Sequence, residues 1–117
     1  GSIAKGLYAD LLVVRGDTTQ PYRALIDAKP ADVLLTTVSG QAFYGASDLV
    51  AAIGDARTYE TVDACGELRS LAVQETTIPI PGGQESLADV TGAFTSVGVT
   101  NVNPLFQCDA APEFAFH

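Results

Sequence analysis

The stretch Gly6-Leu-Tyr-Ala-Asp-Leu-Leu-Val-Val-Arg-Gly-Asp17 decides the fold. A glycine breaks the entry, Ala9 and Asp10 lead into the apolar run Leu11 to Val14, and Arg15-Gly16-Asp17 turns the chain away. This reads as one buried strand between two turns. A second such run, Asp32-Val-Leu-Leu-Thr-Thr-Val38, is followed by Ser39-Gly40 and the short continuation Gln41-Ala-Phe-Tyr-Gly45. Ser39-Gly40 supplies a residue able to take positive φ, so Gln41 to Tyr44 is expected to pair back as a hairpin. Between the strands, Pro21 suits the first position of a short helix through Ala24, Leu25 and Ile26. That helix stops by Lys29-Pro30, because the residue before proline is pushed out of the α region. It is expected to lie across one face of the sheet.

Further along, Ala46-Ser-Asp-Leu-Val-Ala-Ala-Ile-Gly54 carries helix signals at both ends, with Ser47 as the expected N-cap and Gly54 as the stop. Tyr59 to Cys65 alternates like a strand, Gly66-Glu67 turns or bulges the chain, and Leu68 to Val73 reads as another strand. Thr76 to Gly83, with Pro79, Pro81 and Gly82-Gly83, is a loop. Ser86-Leu-Ala-Asp89 resembles a capping box, and Leu87, Val90, Phe94 and Val97 recur at helical spacing. Leu105 to Cys108 reads as extended, and Phe114 and Phe116 as packing residues of the tail. The fold class expected is α+β and mainly β: a small sandwich-like sheet with two or three packed helices.

The order Gly1-Ser-Ile-Ala-Lys-Gly-Leu-Tyr-Ala-Asp-Leu-Leu-Val-Val14, then Pro21-Tyr-Arg-Ala-Leu-Ile26, then Asp32 to Gly45, resembles the C-terminal end of metal-dependent amidohydrolases, a superfamily that includes cytosine deaminase and imidazolonepropionase-like enzymes. The resemblance covers residues 1 to about 45. From Ala46 on, the chain resembles a C-terminal extension seen in some members, including Asp63-Ala-Cys-Gly66 and Pro104-Leu-Phe-Gln-Cys108. It implies a single domain over residues 1–117: family-like strands and hairpin over 1–45, then helix, strands and a C-terminal helical extension over 46–117. Such a domain sits beside a catalytic (β/α)8 barrel, and a barrel needs about 250 residues where this chain has 117. The parent enzymes hydrolyse amide or other C–N bonds with a divalent metal such as zinc, held mainly by histidines. This chain has one histidine, His117, so no catalytic, cofactor-binding or metal residue carries over, and no cofactor is expected in this chain. The resemblance further implies that the sheet lacks strands that complete it in the full enzyme, leaving an unpaired edge and an apolar face. Self-association or contact with the missing barrel are the partners expected.

A net charge of −8 with only six Lys and Arg argues against nucleic acid or an anionic membrane as partner. Hydrophobic content of 47% without a run of 18 apolar residues indicates a globular core and no membrane span. The N-terminus lacks a basic region followed by an apolar one, so no secretory signal is visible, and a cytoplasmic location is the first expectation. Cys65 and Cys108 either close a disulfide or stand as two buried thiols. If bonded, they move the expectation to a secreted or periplasmic location and raise an alternative function: a stand-alone, disulfide-stapled interaction module. Asp10 is expected to accept backbone amides and fix the turn at Gly6 to Tyr8. Arg15-Gly16-Asp17 is read as turn chemistry, and Asp27, Asp32, Glu60 and Asp63 as solvated surface charge.

Overall fold

A computed structural model of the chain describes residues 1–54, 57–72, 86–99 and 108. It contains β1 (Leu11–Val14), α1 (Pro21–Asp27), a 3-10 turn (Pro30–Asp32), β2 (Val33–Val38), β3 (Gln41–Gly45), α2 (Ser47–Ile53), β4 (Glu60–Ala64), β5 (Glu67–Leu71) and α3 (Leu87–Ser96). The strands form one antiparallel sheet in the order β1-β2-β3-β5-β4. The α+β, mainly β class read from the sequence is the one formed.

The two hairpins rest on residues that tolerate positive φ. Ser39 (φ 52) and Gly40 (φ 79) turn β2 into β3, and Cys65 (φ 58) and Gly66 (φ 87) turn β4 into β5. Consecutive positive values match the right-handed twist of paired strands. At the β2–β3 register shift, Thr36 faces Tyr44 and Thr37 faces Ala42, which leaves Phe43 as the extra residue of a bulge. Its ring lies 4.0 Å beneath the Arg57 guanidinium. Gly45 is required by space: a Cβ there would stand 2.6 Å from the Leu34 carbonyl oxygen.

One sheet face packs on α2. Its core is Leu35, Ala42 and Val50, with Tyr59 against it and donating its hydroxyl to the Ala42 carbonyl at 2.9 Å. The N-cap of α2 is Ala46, and Ser47 instead shares a hydrogen bond with Ser70 of β5 at 2.9 Å, pinning the helix to the sheet. The expectation that Ser47 caps is thereby corrected: Ala46 already holds the extended backbone of the cap, and its carbonyl accepts the Val50 amide. Gly54 (φ 70) ends the helix in the left-handed conformation, as its sequence position indicates.

Two further expectations are overturned. The run Leu11 to Val14 is an edge strand and not a buried one. Leu11, Leu12 and Val13 remain 38%, 55% and 40% exposed, and among the described residues β1 has a neighbour strand on one side only. Nor does α1 cover the sheet. It begins at Pro21 and ends at Asp27 as the prolines dictate, but it has no buried residue, and only Ala24 tucks in, against Gly16. The Thr76–Gly83 loop, the Leu105–Gln107 segment and the Phe114 and Phe116 tail lie outside the described residues, as does His117.

Candidate functional site: an apolar cleft on the second sheet face

The alternation of the strands sends Leu12, Thr36, Tyr44, Arg69, Val62 and Ala64 to the face opposite α2. There, the segment Ala28–Val33 folds back over the sheet and closes one side of a cleft of about 630 Å³. Leu12, Pro30, Val33, Tyr44, Val62 and Ala64 form most of its wall.

The side chain that builds this cleft is Arg69. It sits on β5, is 3% exposed, and donates from Nε to the Val33 carbonyl (3.2 Å), from Nη2 to the Ala31 carbonyl (2.6 Å) and from Nη1 to the Leu68 carbonyl (3.0 Å). Nη1 also reaches the half-exposed Glu67 carboxylate at 3.3 Å. A buried charge survives only when its donors are used, and here main-chain carbonyls use them. Tyr44 fastens the same segment, its hydroxyl donating to the Pro30 carbonyl at 3.4 Å. Burial pushes the Tyr44 phenol above its ordinary value, opposed by the nearby Arg69 charge. Arg69 and Tyr44 are thus committed to holding the cleft's shape, and the wall is mainly apolar, with Lys29, Thr36 and Asp63 also lining it.

Of the acidic residues read as solvated surface charge, Asp27 and Asp63 are exposed and Asp32 and Glu60 half-buried, and each also has a structural partner. Asp27 pairs with Arg23 at 2.6 Å, Asp32 accepts the Lys29 amide at 3.0 Å, and Asp63 accepts the Gly66 amide at 2.6 Å across the β4–β5 turn. Glu60 accepts the Leu87 amide with both oxygens, at 3.0 and 3.1 Å, and so ties the start of α3 to β4. The capping box of α3 forms as its letters predict: the Ser86 hydroxyl accepts the Asp89 amide at 3.1 Å, and Asp89 accepts the Ser86 amide at 2.9 Å. The Ser86 hydroxyl also donates to the Asp89 carboxylate at 2.7 Å, and that bond, followed by the one from the Ser86 amide, holds the Asp89 carboxyl below its ordinary value of 3.8.

Asp10 does not fix the Gly6–Tyr8 turn. Its Oδ1 accepts the Ser39 amide at 2.6 Å and braces the β2–β3 hairpin, a contact across 29 residues that local sequence gives no sign of. Beside it, the Thr37 hydroxyl donates to the Ala9 carbonyl at 2.7 Å and accepts the Leu11 amide at 3.2 Å. In Arg15-Gly16-Asp17 the aspartate accepts both the amide and the hydroxyl of Thr19, at 2.8 and 2.7 Å, which is the turn chemistry expected. Those bonds lower the Asp17 carboxyl below 3.8.

Cys65 and Cys108 are joined in a disulfide with their Cα atoms 5.3 Å apart. Cys65 directly follows Ala64, so the bond stands at the end of the cleft. Among the described residues no group of three or more His, Cys, Asp or Glu is placed to hold a metal ion, and no helix is long and apolar enough to cross a membrane. Arg69 was hidden from sequence reasoning because its partners are carbonyls of residues 31 and 33. No protein-family model, curated protein or solved structure matches the chain.

Proposed function

We propose that the chain is a non-catalytic accessory domain that braces a catalytic barrel, in the manner of the C-terminal sandwich region of the metal-dependent amidohydrolases that its first 45 residues resemble. The observation that carries this reading is the mainly apolar cleft over the second sheet face, shaped by the buried Arg69 and the half-buried Tyr44, which are spent on main-chain carbonyls. A surface built this way, mainly apolar, offers area and shape to a protein partner. On this reading the metal, zinc or a similar divalent ion, belongs to the barrel, where it activates water against an amide or other C–N bond.

The reading is tested at the gene. An in-frame or neighbouring coding sequence with a His-x-His barrel supports it, and Val62→Lys, which puts a charge into the cleft, is then expected to lower the thermal stability of the assembled protein. A locus with no barrel, or a barrel indifferent to Val62→Lys, overturns it. The disulfide favours a second reading: a stand-alone interaction module of an oxidising compartment, secreted or periplasmic, where such a bond persists. That reading expects a secretory signal and no barrel at the same locus.

A further inference from the structure

The cleft over the second sheet face has another part of this same chain anchored at its rim. Cys65 follows Ala64 of the wall, and its disulfide holds Cys108 there with the two Cα atoms 5.3 Å apart. The segment 109–117, which lies outside the described residues, leaves Cys108 from the β4 end of the cleft. It reads Asp109-Ala-Ala-Pro-Glu-Phe-Ala-Phe-His117. Pro112 disfavours the α region for Ala111 and so favours an extended chain. In an extended chain Phe114 and Phe116 fall on one side, about 7 Å apart, with the small Ala115 on the other.

The span fits the cleft. Its wall crosses the sheet from Val62 and Ala64 on β4 to Leu12 on β1, four strand spacings or about 19 Å. Phe114 stands six residues beyond Cys108 and Phe116 eight, so an extended chain carries them up to about 20 and about 26 Å. The chemistry fits as well. Pro30, Val33 and Val62 offer aliphatic surface to two phenyl rings, and Leu12 stays 55% exposed among the described residues. Lys29 adds a positive charge to the wall, and Glu113 stands directly before Phe114.

We propose that Phe114 and Phe116 occupy the cleft of their own chain, with the disulfide holding the segment at the rim. The occupant is intramolecular, so it needs no partner to be present. This goes beyond the accessory reading: a barrel that takes the cleft has to displace the segment first.

Nuclear Overhauser spectra of the oxidised chain test this directly. The ring protons of Phe114 and Phe116 are expected to contact the methyls of Val62, Val33 and Leu12. Phe114→Ser with Phe116→Ser is expected to shift those methyls and leave circular dichroism unchanged. The apolar dye anilinonaphthalene sulfonate, followed at the Val62 methyl, is expected to bind this variant about tenfold more tightly, as for a cleft that the segment fills about nine-tenths of the time. Phe94→Ser, on α3, is expected to change neither readout. Rings that contact Phe94 of α3 instead of the wall overturn the proposal, as do rings that contact neither. So do contacts seen only between differently labelled copies, or a dye affinity that is the same with and without the two phenylalanines. Every readout is taken on the isolated chain and none depends on a barrel or on its gene, so the two proposals fail separately.

Discussion

Arg69 shows how one residue organises a face of this protein. Its guanidinium replaces a hydrophobic plug with hydrogen bonds to three carbonyls, and removing it takes a charged donor from each of them and leaves a cavity where the buried side chain stood. Arg69→Ala is therefore expected to cost about 3 kcal/mol, read as a drop in the urea midpoint. Arg69→Lys is expected to restore only part of that loss, since an ammonium cannot span the carbonyls of residues 31 and 33 as a planar fork does. Arg69, Asp10 and Glu60 were all illegible in the sequence for one reason: each finds its partner 27 or more residues away. A charged letter on a strand carries no mark of which carbonyl or amide it will meet.

At the scale of elements, signals confined to a few neighbouring residues were readable and, the Ser47 cap apart, came out as read. Ser39-Gly40 turned the hairpin, Pro21 opened α1, Gly54 closed α2, and Ser86 with Asp89 capped α3. Ser39 holds φ 52 at a cost that asparagine bears more easily, so Ser39→Asn is expected to raise stability by about 0.5 kcal/mol in the same urea measurement. The cap of α3 has a pH signature. Folding lowers the Asp89 pKa below 3.8, so its contribution is complete above that value and is lost as pH falls through the lower folded value. Circular dichroism followed from about pH 5 to about pH 2 is expected to show loss of helix, and Asp89→Asn is expected to remove that acid-dependent step. The burial of β1 was misread because an apolar run records which surroundings suit a strand. It does not record whether the neighbours are present.

For the whole molecule, the described core is small. Leu35, Ala42, Val50 and Ala64 are the buried hydrophobic residues among those described, while Phe94 of α3 and Val97 at its C-cap remain 47% and 75% exposed. A chain with so modest a core leans on its covalent link. The Cys65–Cys108 bond spans 43 residues, and Cys65→Ser with Cys108→Ser is expected to lower stability by about 4 kcal/mol at most, measured against the oxidised protein. The same bond turns residues 65–108 into a ring. A protease that cuts the backbone once anywhere inside that ring releases nothing: the nicked protein keeps its full mass, plus one water, until a reductant separates it into two pieces. A gel run without reductant would then show an intact chain in a sample already cleaved throughout.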